Sequence, residues 1–345
     1  MKNFKNIIGN DRLVKYITKL IKEKSESHAY IFMSEDKEMS KEISHIVAKA
    51  MMCEDFDKKD DACLECKSCL TFDSGNNPDL KIISVEQINK TSDKTTKIIS
   101  VDNIRELLVN EAIYAPTNSK YKIFIIEDGD LMNENAQNAL LKTLEEPNDY
   151  VKIFILASKE SALLSTILSR CVTLKVMPLK SEELKQWALT NLDPIKYQNQ
   201  LSDLDYYVRY ASGSVTKLKD AIDDEKFSGY KDVVSEVAIP LLKNDFQNFE
   251  KCKNILSSDD CKNNINKILD ILEIWYRDLA FAYNNMYNSI INIDRKETIM
   301  TQARRLDERR LEKAIYAIEK FKNDLKNYAQ YKIALEVFQI NISEV

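Results

Sequence analysis

Glycine and proline are scarce here: five glycines and six prolines among 345 residues. An all-β fold needs turn residues at each hairpin, so this scarcity argues against one and favours long helices. A basic excess is also missing. Lys and Arg total 50 against 55 Asp and Glu, and the two signs are interspersed. The net charge of −5 excludes strong non-specific nucleic-acid binding by the chain as a whole. Any DNA contact would fall to a local surface or to partner subunits. No run reaches the roughly 18 apolar residues that a membrane helix needs, and the opening MKNFKNIIGN lacks an apolar signal core. No membrane association and a cytoplasmic location are expected, where disulfides are rare. What is present is a globular composition, 44% hydrophobic and 30% charged. At about 150 residues per domain, the length predicts two or three domains.

The most informative stretch runs from Tyr121 to Cys171. Two apolar β-type runs, Ile123–Ile126 and Ile153–Leu156, flank a segment with helical spacing at Met132, Ala136, Ala139, Leu140 and Leu144. Asn133 suits the N-cap, and Pro147 marks the far end because the residue before a proline is pushed out of the α region. Strand, helix and strand without a hairpin signal predict a βαβ unit of a parallel sheet. Its first strand ends in two acids, Glu127-Asp128, and the stretch closes with Ser169-Arg170-Cys171.

Around this unit the periodicity predicts further elements. A helix starts near Asp11, His28–Phe32 forms a strand, and Ile43, Ile46, Val47, Ala50 and Met51 make one helix face. Lys81–Val85 and Val172–Val176 read as strands, Lys90–Lys97 as a polar connection, and Ser100 or Asp102 as a helix cap. From about Phe227 onward long apolar periodicity predicts an all-helical region. One face carries Ile265, Ile268, Leu269, Leu272, Trp275, Tyr276 and Leu279, and another Ile315, Ile318, Phe321 and Leu325.

Four of the seven cysteines fall close together with short spacing: Cys53-x9-Cys63-x2-Cys66-x2-Cys69. In a reducing compartment this is the pattern of a closed four-thiolate structural zinc site. An iron–sulfur cluster and free thiols are the alternatives. A closed site leaves no position open for catalysis. Cys171, Cys252 and Cys261 are scattered and read as small buried hydrophobes.

An apolar strand ending in acids, then NALLKTLEEP, a second strand ending at Ser158, and ILSRC together resemble the bacterial clamp-loader ATPases. These are the gamma/tau and delta-prime subunits of DNA polymerase III, of the AAA+ superfamily. FKNIIGN, HAYIF, AKAMMC, NPDL, SVDNIREL and MPLKSEEL are similar to successive motifs of that family, and the cysteine spacing is close to its zinc module. The resemblance implies an α/β AAA+ domain over 1–177 with the zinc module at 53–69, a helical lid over 178–226, and an all-α collar over 227–345.

Against the family's P-loop, GxxxxGK[ST], this chain has Ser34, Lys37 and Met39 at the glycine positions, Ser40 at the lysine position and Lys41 where a magnesium-binding hydroxyl belongs. Glycines let successive N–H groups wrap phosphates; here every position carries a Cβ, and Glu35, Asp36 and Glu38 add negative charge. Thr216 occupies the place of a nucleotide-sensing arginine. No nucleotide is expected on this chain, and Glu127 and Asp128 become a vestigial pair. The SRC motif, Ser169, Arg170 and Cys171, implies that Arg170 acts as an arginine finger on the ATP of a neighbouring subunit, the alternative being an arginine salt-bridged at a helix end. These features favour a non-hydrolysing delta-prime kind of member. It would work in a hetero-oligomer with gamma/tau and delta subunits, on the sliding clamp and primed DNA. The alternatives are an active gamma/tau-type ATPase with a divergent P-loop, disfavoured by the missing glycines and short length, and a zinc-stapled scaffold unrelated to replication.

Overall fold

The computed structural model describes residues 2–23, 26–91, 95–243, 245–304, 306, 308–327 and 330–343. The two apolar runs are fully buried parallel strands: β3 (Lys122–Ile126) and β4 (Val151–Ala157). With β1 (Ala29–Met33), β2 (Leu80–Ile83) and β5 (Val172–Lys175) they form one sheet in the order β2-β3-β4-β1-β5, every pairing parallel. Near-continuous apolar strands are what a sheet covered on both faces requires. The expected arrangement, a parallel sheet flanked by helices with an all-helical C-terminal region, is present.

The helix α1 spans Asp11–Lys22, and α2 spans Lys37–Met52 with Ile43, Ile46, Val47, Ala50 and Met51 buried as their spacing predicts. The connecting helix of the βαβ unit, α3 (Glu134–Glu145), starts at Asn133, whose side chain accepts from the Ala136 N–H at 2.8 Å. It stops just before Glu146-Pro147. Gly129, directly after the two acids, has no room for a side chain: a Cβ would lie 2.5 Å from the Leu156 carbonyl oxygen.

One strand is shorter than its sequence suggests. The run Lys81–Val85 leaves the sheet at Ile83, and Val85–Thr91 is helical. Ser84 is the cause: its hydroxyl caps the new helix by accepting from the Gln87 N–H at 3.2 Å. The expected polar connection Lys90–Lys97 therefore begins inside a helix, and 92–94 lie outside the described residues.

The chain divides into two compact units. One comprises Met1–Leu192 and Ser212–Lys217, the other Asp193–Ala211 and Leu218–Val345. The range 178–226 is thus shared between them. Within the second unit, the predicted face of the helix Ile265–Tyr283 is buried from Ile265 to Leu279. Trp275 donates to Gln302 Oε1 at 3.2 Å, and Tyr276 donates to the Ala238 carbonyl at 2.8 Å. Ile318 and Phe321 are buried as predicted, and Phe321 stacks on Phe338 with centroids 4.8 Å apart. Among the described residues, no helix is long and apolar enough to cross a membrane.

Candidate functional site: the loop after β1, Arg170 and the cysteine knuckle

In an open parallel sheet, ligands bind outside the carboxyl ends of the strands, where the strand order reverses. Here the connections from neighbouring β1 and β4 leave in opposite directions, and a cleft of about 240 Å³ opens at their ends. Ser34, Lys37, Ser40, Glu127, Asp128 and Ser158 are among its lining residues. Only Ser34-Glu35-Asp36 separates β1 from α2. The positions of the second and third P-loop glycines, Lys37 and Met39, are already helical, and Met39 is buried. No wide loop of N–H groups can form in three residues.

The two acids after β3 are paired with basic side chains of α2. Lys37, Lys41 and His45 recur every fourth residue along one face of α2, opposite the acids that end β3. Lys41 Nζ stands 2.8 Å and His45 Nε2 2.9 Å from the two oxygens of Glu127. Lys37 pairs with Asp128, whose other oxygen accepts from the Val85 N–H at 2.8 Å. Burial would raise the Glu127 carboxyl, but the bonds from His45 and Lys41 outweigh it and hold the carboxyl below its usual range. Burial would lower the Lys41 ammonium, and its bond to Glu127 instead raises it. Asp130 accepts from the Ser158 N–H at 2.9 Å. Ser40, at the P-loop lysine position, is buried, and its hydroxyl has no hydrogen-bond partner among the described residues.

The start of α2 is also occupied. The Asp36 carboxylate accepts from the Met39 N–H at 3.2 Å, the capping position. It also accepts from the N–H groups of Val215 and Thr216 and from the Thr216 hydroxyl at 2.6 Å. The Glu38 N–H donates to that same hydroxyl at 3.0 Å. Two of the first-turn amides that could meet an anion therefore meet the chain's own side chains.

Arg170 lies elsewhere, two residues beyond the short helix Ser165–Leu168. Its Nη2 is 2.7 Å from Glu145 Oε1, at the last turn of α3, and its Nη1 donates to the Thr166 carbonyl at 3.0 Å. The pair is open to solvent, with 35% of the Arg170 side chain and 51% of Glu145 exposed. Ser169 turns its hydroxyl back onto the Thr166 carbonyl at 3.1 Å. Cys171 is half-buried and burial pushes its thiol up to about 12, so it is an inert neighbour.

The sulfurs of Cys53, Cys63, Cys66 and Cys69 lie within 4.8 Å of one another. Four thiolates at about 2.3 Å from a tetrahedral zinc ion stand roughly 3.8 Å apart, so the set suits that ion. The backbone is shaped around the sulfurs. The N–H groups of Glu65 and Cys66 point at Cys63 Sγ, the latter at 3.2 Å, and the Cys63 N–H points at Cys53 Sγ at 3.2 Å. Burial pushes the Cys53 thiol up to about 11, whereas for Cys63 the donated N–H bonds overcome burial and bring it down to about 7. Lys49, buried on α2, grips both oxygens of Asp73 at 2.6 and 2.7 Å, joining the knuckle's last helix, Lys67–Asp73, to the domain core.

Residues 9–180 match the family described as DNA polymerase III, delta subunit. The chain belongs to the DNA polymerase III clamp-loader subunit family. It is 29% identical over 185 residues to the DNA polymerase III subunit tau/gamma of Haemophilus influenzae, covering 54% of this chain and 25% of that one. It is 30% identical over 174 residues to the DNA polymerase III subunit delta′ of Bacillus subtilis, covering 50% and 49%. The chain thus spans between a quarter and about half of the length of these curated relatives. Among solved structures it is similar to a DNA polymerase III gamma subunit-related protein of Thermotoga maritima, at 18% identity and a TM-score of 0.45, over 96% of this chain and 99% of that one.

Of the residues singled out from sequence in this clamp-loader family member, Ser34, Lys37, Ser40, Glu127 and Asp128 share the cleft, the four cysteines share the knuckle, and Arg170 stands apart from both. His45, Glu145 and the engagement of Asp36 are not seen by motif reasoning. A signal for His45 was available: basic side chains at every fourth position of a helix that follows the first strand.

Proposed function

We propose that this chain is a delta-prime-type clamp-loader subunit that does not hydrolyse ATP and that supplies Arg170 to the ATP of a gamma/tau neighbour. The observation that carries this role is the internal matching of the cleft after β1. Lys37, Lys41 and His45 are held by Glu127 and Asp128, and Asp36 sits at the start of α2. A triphosphate would have to displace these pairs and would meet Asp36 at the helix start, where bound phosphates are otherwise favoured. Arg170, by contrast, is half-exposed, and its one acid partner can be exchanged. A guanidinium in that condition can add fixed positive charge and paired donors to a phosphoryl group outside its own chain.

In this role the chain acts in the cytoplasm within a hetero-oligomer of gamma/tau and delta subunits and helps to load the sliding clamp at primed DNA. Residues 1–177 serve as the AAA+ domain, 178–226 as the lid and 227–345 as the oligomerising collar. Cys53, Cys63, Cys66 and Cys69 would hold a structural zinc ion. When bound, that ion contributes folding energy to the knuckle and no chemistry.

The test has two arms. The isolated chain is titrated with ATP and magnesium to millimolar concentration, with no binding expected; saturable binding accompanied by hydrolysis would favour the active gamma/tau-type alternative. The chain is then reconstituted with gamma/tau and delta subunits, and ATPase is measured with and without primed DNA. Failure to associate with either subunit would favour the zinc-stapled scaffold.

A further inference from the structure

We infer that the Asp36 carboxylate is a built-in anion. It takes the place at the start of α2 where a bound anion would sit, and from there it fixes the turn 212–217 to the loop after β1. The inference rests on the stretch Ser34–Lys41 taking no nucleotide.

Asp36 is 5% exposed, and no ammonium or guanidinium among the described residues pairs with it. A buried carboxylate without a cation must be held by donated hydrogen bonds. Four reach it: the N–H groups of Met39, Val215 and Thr216, and the Thr216 hydroxyl. One comes from the first turn of α2, where the helix dipole favours a negative charge. The other three come from the start of the helix Val215–Asp223, nearly 180 residues away in sequence. Two helix N-termini thus face one carboxylate, an arrangement that a bridging anion would produce.

The surrounding backbone is built for this approach. Gly213 has φ +91, the left-handed region that favours glycine, and a Cβ there would collide with the Leu179 carbonyl oxygen. The Leu179 N–H donates to the Gly213 carbonyl at 2.9 Å. Ser34 fixes the other end, its hydroxyl accepting from the Asp36 N–H at 3.0 Å. Thr216 completes the link by accepting from the Glu38 N–H while donating to Asp36. The consequence is a turn whose position does not depend on any ligand. Asp36 is a positioning residue, and the 212–217 turn is what it positions.

Amide hydrogen exchange on the full chain tests this. Asp36→Ala should speed exchange at Val215 and Thr216 about tenfold or more, as expected for loss of a charge-assisted bond. Asp36→Asn keeps the shape and one acceptor oxygen and should fall between Ala and the native residue. Added acetate or inorganic phosphate should restore protection in Asp36→Ala and leave the native chain unchanged, because a free anion can refill the vacated place. Unchanged exchange in both variants would overturn the inference. So would loss of protection that no anion restores, since it would make Asp36 an ordinary packing residue. Should Asp36→Ala not fold, Asp36→Asn alone decides by whether the two amides lose protection. ATP binding by the native chain would count against the non-hydrolysing role without altering the exchange result.

Discussion

The cleft after β1 and the surface around Arg170 treat charge in opposite ways. In the cleft, Glu127 is nearly buried and held by two basic groups from one helix face, and Asp36 takes four donated bonds. Around Arg170 a single acid partner, half in water, faces a guanidinium with donors to spare. Interactions between buried groups are screened little, and breaking one leaves an unpaired charge. An exposed pair contributes almost nothing to stability and exchanges readily. The first region is therefore satisfied within the chain, and in the proposed role the second is completed by a neighbouring subunit's nucleotide. Substitutions should divide accordingly: cleft changes should register in stability, Arg170 changes in a partner's reaction.

The largest expected effect is that of Arg170→Ala. It should leave folding and assembly intact and lower the DNA-stimulated ATPase of the reconstituted complex by about 10³-fold or more. The measurement is steady-state ATP hydrolysis beside size-exclusion analysis of the complex. An unchanged rate would place Arg170 with the internally satisfied charges and remove the contrast.

Metal removal probes a third place, the cysteine knuckle, whose four sulfurs could hold a zinc ion. Chelation at neutral pH, or Cys66→Ser, should release the bound metal and unfold the knuckle, because binding energy is folding energy there. Metal content by elemental analysis and the melting temperature report it. The Lys49–Asp73 clasp should keep the end of the Lys67–Asp73 helix on the domain core, so loss should be confined to residues around 53–69. Global unfolding would show that the knuckle, and not the sheet, limits stability.

How much of this could be read in advance depended on whether a feature is local. The strands β3 and β4 follow from apolar runs, and the Asn133 cap from its place before a periodic segment. The end of β2 is not legible in the sequence, because the Ser84 cap competes with continued pairing, a contest that β-type residues such as Val85 do not reveal. The Asp36–Thr216 link joins positions 180 residues apart and leaves no trace in spacing. Glu145 lies inside LLKTLEEP, where the motif hides it, and only the packing of α3 against the Ser165–Leu168 helix brings it to Arg170. Lys37, Lys41 and His45 could have been seen as one basic face, but their partners could not.

Glu127→Ala sharpens the comparison from the cleft side. It leaves Lys41 and His45 beside an empty space, and a loss of about 1–3 kcal/mol is expected, below the figure for a fully buried pair because both partners are part-exposed. The ATPase of the complex should not change. The acid side of the pH profile carries the same information. The folded Glu127 carboxyl is held below its unfolded value, so its contribution is fully present above about 4.3 and is lost as the pH falls through the lowered folded value. Denaturant titration from neutral to acid pH should show that acid loss in the native chain and a weaker one in Glu127→Ala.

The smallest effect, and the most discriminating, is expected from Glu145→Gln. The substitution keeps an acceptor oxygen 2.7 Å from Arg170 Nη2 and removes only the charge. With 35% and 51% of the two side chains exposed, the change in stability should stay within a few tenths of a kcal/mol and vanish in high salt. Freed from its local anion, Arg170 should move more readily to a phosphate. The complex should keep its ATPase at high nucleotide and need no more ATP to reach half its maximal rate. A stability loss above about 1 kcal/mol would mean that Glu145 binds Arg170 as Glu127 binds Lys41. The guanidinium would then be committed within its own chain, and the two regions would no longer differ in kind.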